Sequence, residues 1–549
     1  MTFVLPFILS LVVSMSLLPT LVRFSERLML VDRPGDRKVH TAPIPRVGGI
    51  AIAVGVLAAV SSSDFALDGP RTIFLYGALV IFLSGLLDDR FDLDYRAKFL
   101  GQLVACSLPV FLGDLRIETL EIGERVELGN TLSAVLTMFF MVGVTNAVNL
   151  TDGLDGLAGG TVFLCLCALA WLSFITGQHT LTGLCLSFSG ATLGFLRFNT
   201  HPATVFMGDA GSQLLGYAIG GLAILATQES SAAVSASLPI LLLGIPILDT
   251  TQVMVRRLMA GKSPFRPDRS HLHHRLLGIG FEHHEAVMAI YLAQLLLLIV
   301  AYAELYQPDN VILLTYALFC GAFLGVLSFA ERRGLRIREL GQRVAEAAPL
   351  ARLVERAYSS GALLRAAIGL LVAGLAGFAV LTVTGLSGAT PDIRVSVAAL
   401  VVVAAALVVR RRDWPLGLAD KGVLYATIAA YVYCGAAFRP DDVFRHHADW
   451  FVLLVVALAT VVALRSQQRR GFDVTSLDLL VLFVTLVIPN LPGVSGLINV
   501  SPLQLAKLVV FFYGIELVLT VPRISPLAIR LATAAALAAL WGGLAWVSV

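Results

Sequence analysis

Charged side chains are scarce in this sequence: Asp, Glu, Lys and Arg make up 14% of its 549 residues, while 57% are hydrophobic. A water-soluble domain carries about 25% charge. That class is therefore excluded, and an all-α polytopic membrane protein is expected. The formal net charge of +3 identifies no partner, and nucleic acid is not expected. Cysteine is also sparse. Cys106, Cys165, Cys167, Cys185, Cys320 and Cys434 all lie in apolar runs, where they read as small buried hydrophobes, not as disulfides or metal ligands. Cys165 and Cys167, two apart, would point to different faces of a helix. The start Met1-Thr-Phe-Val-Leu-Pro6 lacks the basic segment and cleavage site of a signal peptide, so residues 3–22 read as a retained first span.

What is present is a long series of apolar runs. A span needs about 20 mostly apolar residues. About eleven such runs occupy the first part of the chain, near 3–22, 46–62, 72–87, 97–113, 131–148, 157–176, 181–197, 212–227, 233–252, 285–304 and 310–330. Segment 114–130 alternates apolar and polar residues around Gly123-Glu124, the pattern of a small β-hairpin with solvated acids. Loops 23–45, 253–284 and 331–356 are rich in Arg and Lys. They share one parity, so the positive-inside rule makes them cytoplasmic and puts the N-terminus and the hairpin outside. About seven further runs follow, near 362–385, 394–409, 419–437, 450–464, 477–490, 503–520 and 525–547. The chain thus divides into a membrane domain at 1–335, a cytoplasmic linker with an amphipathic helix at 336–360, and a transmembrane extension at 361–549. The extension neither repeats the first part nor carries a comparable acidic cluster.

Four polar clusters break the apolar pattern: Asp88-Asp89, Asn149-Leu-Thr-Asp152-Gly-Leu-Asp155-Gly, Gly208-Asp209-Ala-Gly-Ser212, and His271-Leu-His273-His274. Charge at such junctions is costly and is kept mainly where it acts. With the topology above, all four fall on the cytoplasmic side. Asp209 lies between glycines that let a ligand approach the backbone. It suits Mg²⁺, which takes one or two carboxylates and completes its shell with water and phosphates; the other reading is the N-cap of the next helix. Asp152 and Asp155, three apart, share one face if their segment is helical. The loop Ser263-Pro-Phe-Arg266-Pro-Asp-Arg269-Ser-His271 adds guanidiniums to the imidazoles, which fits an anion site for diphosphate better than zinc. Lys38 and the glycine-containing segment Pro45-Arg46-Val-Gly48-Gly49 add a basic entry loop. His283-His284 and His446-His447 lack acidic or glycine company and read as surface. Carboxylates for Mg²⁺ and cations for phosphates at a membrane surface suit phosphoryl transfer between a soluble nucleotide and a lipid.

These motifs, in this order, resemble the polyprenyl-phosphate N-acetylhexosamine-1-phosphate transferases, the superfamily that includes MraY and WecA. The resemblance covers about residues 1–335, and its histidine loop is similar to the WecA branch. It implies transfer of a sugar 1-phosphate, GlcNAc-type, from a UDP-sugar to undecaprenyl phosphate, releasing UMP, with Mg²⁺ or Mn²⁺. By motif position it implies that Asp209 binds the metal and that Asp88 and Asp89 act on the lipid phosphate. Asn149 and Asp152 would hold the nucleotide, with Lys38, Asp155, Arg269, His271, His273 and His274 organising substrate and diphosphate. The implied setting is the bilayer of a bacterial inner membrane, with a cytoplasmic active site; a homodimer is left open. The competing readings are a secondary transporter, whose acids would cluster near the bilayer midplane, and an inactive transferase-like scaffold.

Overall fold

The computed structural model describes residues 4–33, 43–63, 65, 67–122, 124–228, 234–261, 270–334, 362–383, 391–410, 418–437 and 525–546, together with Val452, Val455, Val456, Gln504, Lys507, Val510 and Phe511. The expected linker at 336–360, Lys38, Arg266, Arg269, His446 and His447 lie outside the described residues. The chain divides into two compact units. The described residues up to Gly334 belong to the first, and those from Ala362 onward to the second.

The first unit is helical. Its long apolar runs become α1 (Val4–Leu28), α3 (Gly69–Phe91), α5 (Asn130–Thr151), α6 (Leu157–Ile175), α7 (His179–Asn199), α8 (Gly208–Gln228), α12 (His283–Ala303) and α13 (Asp309–Arg332). Among the described residues, eight helices are long and apolar enough to cross a membrane, as a multi-pass membrane protein requires. Three of the eleven apolar runs are shorter or broken. Run 46–62 is the 14-residue α2 (Gly48–Ser61). Run 97–113 is α4 (Tyr95–Ser107), which passes at Pro109 into a π-helical turn. Run 233–252 splits at Leu243 into α9 (Leu238–Leu242) and α10 (Gly244–Met259). The histidine loop continues as the short α11 (Leu272–Gly278).

Helix ends follow local chemistry. Asp68 caps α3 by accepting from Arg71 N at 3.0 Å, and Glu282 with Glu285 forms a capping box on α12. The expected hairpin is present as β3 (Thr119–Ile122) against β4 (Glu124–Glu127), antiparallel, with β4 exposed throughout. A second, shorter ladder pairs β1 (Val31–Asp32) with β2 (Ile44–Pro45).

Helix α8 is buried on all sides, with α6 and α7 mostly buried beside it. The outer helices expose large apolar residues such as Leu5, Tyr76, Phe139, Leu314 and Val326, the surface that lipid would cover. Helices α3 and α8 touch backbone to backbone: a Cβ on Gly85 would lie 2.6 Å from Asp209 O and from Ala210 Cα. Close approach through small residues is how helices associate where lipid removes the hydrophobic drive, and here it brings the end of α3 onto the start of α8.

The second unit contains α14 (Ala362–Val383), α15 (Pro391–Arg410), α16 (Leu418–Ala437) and α17 (Pro526–Trp546). Leu371, Phe378, Tyr431, Phe511, Leu540 and Leu544 form its apolar core. Arg530 and Asp420 make a buried two-point ion pair at 2.8 and 3.0 Å. The runs near 450–464, 477–490 and 503–520 lie almost entirely outside the described residues.

Candidate active site

The site begins where α3 ends. Asp88 and Asp89 are adjacent in sequence but perform different tasks. Asp89 Oδ1 accepts from Asp209 N at 2.8 Å, and Oδ2 accepts from Ala210 N at 2.9 Å. Asp89 is thus the cap of α8, satisfying two of its orphan N–H groups. Gly208 makes this fit possible, because its φ is +73° and a Cβ there would lie 2.5 Å from Asp89 Oδ2. Of the two sequence readings of Asp209, the N-cap is therefore overturned: the cap is Asp89, and Asp209 sits within the first turn with its carboxylate partly exposed. Asp88 accepts from Leu93 N at 2.8 Å through Oδ1 and meets Lys98 Nζ at 2.6 Å through Oδ2. Lys98 also lies 3.8 Å from Asp209 Oδ2, so one ammonium stands between two carboxylates. Sequence reasoning missed Lys98; its only signal was a position nine residues after the acidic pair.

Asp152 and Asp155 do not share a helical face. The chain from Asp152 to Gly156 is a turn between α5 and α6, because Gly153 and the left-handed Gly156 interrupt the helix. The two acids consequently diverge. Recession into protein, and then the negative charges of Asp209 and Asp155, push the Asp152 carboxyl up to about 7. Asp155 Oδ2 instead accepts from Ala203 N at 3.1 Å and meets His201 Nδ1 at 2.7 Å. Asn149, at the end of α5, accepts from Ser212 Oγ of α8 at 2.9 Å. Behind it, Gln102, Asn146 and Gln213 form a polar layer joining α4, α5 and α8.

The histidine loop reaches the same turn. His273 packs on Gly153, where a Cβ would lie 2.5 Å from the ring. Its ring lies parallel to that of His271 and tilted against that of His274, at centroid distances of 5.8 and 4.2 Å. Burial, then the neighbouring His274, lowers His273 to about 3, so it is a neutral ring and not a cation at physiological pH, and its buried Nδ1 has no hydrogen-bond partner among the described residues. His271 is held from behind by buried Asp249 of α10. Asp249 Oδ2 lies 2.9 Å from His271 Nδ1, and Oδ1 accepts from Leu272 N at 2.7 Å. Arg275 is committed to structure through Glu331, Ser328 and Gln252. Arg46 pairs with Asp32.

One reading of the histidines is corrected. His283 is not a surface residue remote from the motifs. Its ring stacks on His201 at 4.1 Å, within the group Asp155, His201 and His283. His201 and Asp249 carried no sequence signal beyond their type, since only the tertiary fold brings them to a motif.

Asp88, Asn149, Asp152, Asp209 and His273 thus meet where α3, α4, α5, α8 and α11 converge. Oxygen donors predominate, with Lys98 among them. This is the chemistry of a site that accepts hard cations and phosphates.

Comparison with known proteins bears on the family. The family model described as glycosyl transferase family 4 matches residues 71–227. A "Probable undecaprenyl-phosphate N-acetylglucosaminyl 1-phosphate transferase" of Bacillus subtilis (strain 168) is 40% identical over 53% of this chain and 81% of its own length. A "Decaprenyl-phosphate N-acetylglucosaminephosphotransferase" of Mycobacterium leprae is 36% identical over 49% of this chain and 75% of its own. The "Undecaprenyl-phosphate alpha-N-acetylglucosaminyl 1-phosphate transferase" of Escherichia coli (strain K12) is 31% identical over 54% and 83%. With the ordered motifs gathered at one site and relatives matched over most of their length, the chain belongs to the polyprenyl-phosphate N-acetylhexosamine-1-phosphate transferase superfamily.

Proposed function

We propose that the protein transfers N-acetylglucosamine 1-phosphate from its UDP-sugar to undecaprenyl phosphate, releasing UMP. The carrying observation is Asp209 in the first turn of α8, its backbone fixed by Asp89 and its carboxylate facing Lys98 and Asp88. In the reaction, an oxygen of the lipid phosphate forms a bond to the sugar-bearing phosphorus. The bond from that phosphorus to the UMP oxygen breaks, and UMP leaves with the electron pair. A phosphate monoester is largely ionised near pH 7, its second pKa being about 6, so the attack needs no strong base.

Asp209, with Asp88 beside it, supplies hard oxygen donors suited to Mg²⁺ or Mn²⁺; such an ion would neutralise charge building on the diphosphate. Lys98 offers a cation to the phosphates beside the carboxylates. Asn149 and Asp152 form the wall for the nucleotide, and neutral His273 donates or accepts at the diphosphate or sugar. Lys38, Arg269, His271, His274 and Asp155 complete the substrate side by motif position. We assign the chemistry to residues 1–335 and no catalytic group to the extension, because every motif lies in the first unit. The basic loops favour an inner-membrane protein with a cytoplasmic active site and an external N-terminus, and a homodimer is compatible with this reading.

The test is an assay of the purified full-length protein with undecaprenyl phosphate, Mg²⁺ and a panel of UDP-sugars. UMP release should require the lipid phosphate and divalent metal and should be fastest with UDP-N-acetylglucosamine. Absence of UMP release with every donor would overturn the reading, and preference for UDP-muramoyl-pentapeptide would move the protein to another branch.

A further inference from the structure

We infer, on the transferase reading of the site, that Asp249 is a positioning residue for the reaction: it sets the tautomer and direction of the His271 ring, so that Nε2 is presented to the sugar nucleotide as a hydrogen-bond acceptor. Asp249 lies in α10, outside the four sequence motifs, and is 2% exposed. An acid buried in an apolar helix is costly and is kept mainly where it acts. Both of its oxygens are committed to the histidine segment. Oδ1 accepts from Leu272 N at 2.7 Å, and Oδ2 lies 2.9 Å from His271 Nδ1.

That pairing decides where the ring proton sits. A carboxylate offers acceptors only, so with Oδ1 taken by Leu272 N–H, Oδ2 receives Nδ1–H. The hydrogen bond at one ring nitrogen fixes the form of the other. Nε2 therefore keeps its lone pair and points away from Asp249. The ring so oriented lies parallel to that of His273, which packs on Gly153 beside Asp152.

The same helix grips the segment a second time. Gln252, three residues on and on the same face, donates through Nε2 to Ser270 O at 2.7 Å and accepts from Arg275 Nη1 at 3.4 Å. Gln252 thus secures the backbone, and Asp249 secures the His271 ring. A carboxylate is what the second task needs. An Asn has one acceptor and one donor group, so it can serve Leu272 N–H only by turning its amide NH₂ toward Nδ1. The ring proton must then move to Nε2, and the acceptor offered to the substrate is lost while the packing is kept.

The experiment is steady-state kinetics on purified full-length variants with UDP-N-acetylglucosamine, undecaprenyl phosphate and Mg²⁺. Asp249→Asn should lower kcat/KM for the UDP-sugar by roughly ten- to a hundredfold, the scale of one lost hydrogen bond to the substrate, with KM for the lipid phosphate unchanged. In a His271→Ala background the same change should cost less than about twofold, because a residue that acts through another has nothing left to act on. A purely structural role would cost activity again in that background. A second readout needs neither turnover nor a folded Asp249 variant. In wild-type protein labelled with ¹⁵N-histidine, NMR should show the His271 proton on Nδ1, the resonance being assigned by its loss in His271→Ala. A proton on Nε2 overturns the proposal, as does an equal loss of kcat/KM in both backgrounds. Asp249→Asn within about twofold of an active wild type also overturns it and leaves the transferase reading intact. A wild type that releases no UMP with any donor overturns that reading, and the role of Asp249 in the reaction with it.

Discussion

The two ends of the first helical unit treat a buried carboxylate in opposite ways. At the end bearing the hairpin, Asp309 of α13 is fully matched. Its Oδ1 accepts from Ser235 Oγ and from Ser237 N at 2.7 Å, and its Oδ2 accepts from Glu121 N at 2.5 Å. At the other end, Asp88 and Asp209 share one lysine, and Asp152 is raised by burial and by the acids around it. A buried carboxylate that finds enough donors ties elements together. Several carboxylates with too few cations destabilise the fold and invite a metal or a substrate to restore neutrality. The first arrangement is a clasp, and the second is the candidate site.

That contrast can be broken experimentally, and the largest effect belongs to Asp209. Asp209→Asn should lower UMP release by about a thousandfold or more, the scale of losing a main electrostatic contact to the transition state. Its unfolding midpoint should stay at or above the wild-type value, because a like charge has been removed. Turnover near wild type would break the comparison.

Gly153→Ala comes next. Its Cβ would strike the His273 ring, so the histidine loop must shift. We expect about a tenfold rise in KM for the UDP-sugar, since loss of one or two contacts costs about 1.4 kcal/mol, with the protein still folded. An unchanged KM would detach His273 from the donor.

Asp309→Ala should do the reverse. It leaves Ser235, Ser237 and Glu121 without their acceptor, at a cost of about 1–3 kcal/mol for each buried group left unmatched. The unfolding midpoint should fall by several degrees, while turnover per folded molecule stays within about twofold. A strong loss of turnover with unchanged stability would show that the clasp end also serves catalysis.

The smallest effect is a slope. Asp152 binds its proton more tightly folded than unfolded, its carboxyl rising from 3.8 to about 7. Between those values the native state holds more protons, so this group makes stability fall as pH rises from about 4 to 7. In chelator and without donor, the difference in unfolding midpoint between Asp152→Asn and wild type should therefore grow in favour of the variant across that window. A flat difference would show that Asp152 is not raised.

The helices and the hairpin were legible because each is written locally, in about twenty apolar residues or in strict alternation around Gly123-Glu124. The helical pairing of Asp152 with Asp155 misled because a three-residue spacing is compatible with a helix and a turn alike. Gly153 and Gly156 decided between them. His283 was misread for a different reason: its partners precede it by many residues, and its neighbour Glu282 caps a helix without marking a site.

By itself, the sequence determined the membrane class, the order of helices, the hairpin and the acids and histidines that carry the family's motifs. Hydropathy and short spacings encode those features along the chain. Only the tertiary structure decided that Asp89 caps the helix bearing Asp209, 120 residues away, and that Asp309 clasps the hairpin, 188 residues away. It alone placed Lys98 between two carboxylates, Asp249 behind His271, and His201 with His283 beside Asp155. The physical reason is that an isolated polar residue has no local pattern. Its partner is selected by helix packing, through close contacts such as Gly85 on Asp209 and Ala210, and by the cost of leaving a buried charge unmatched.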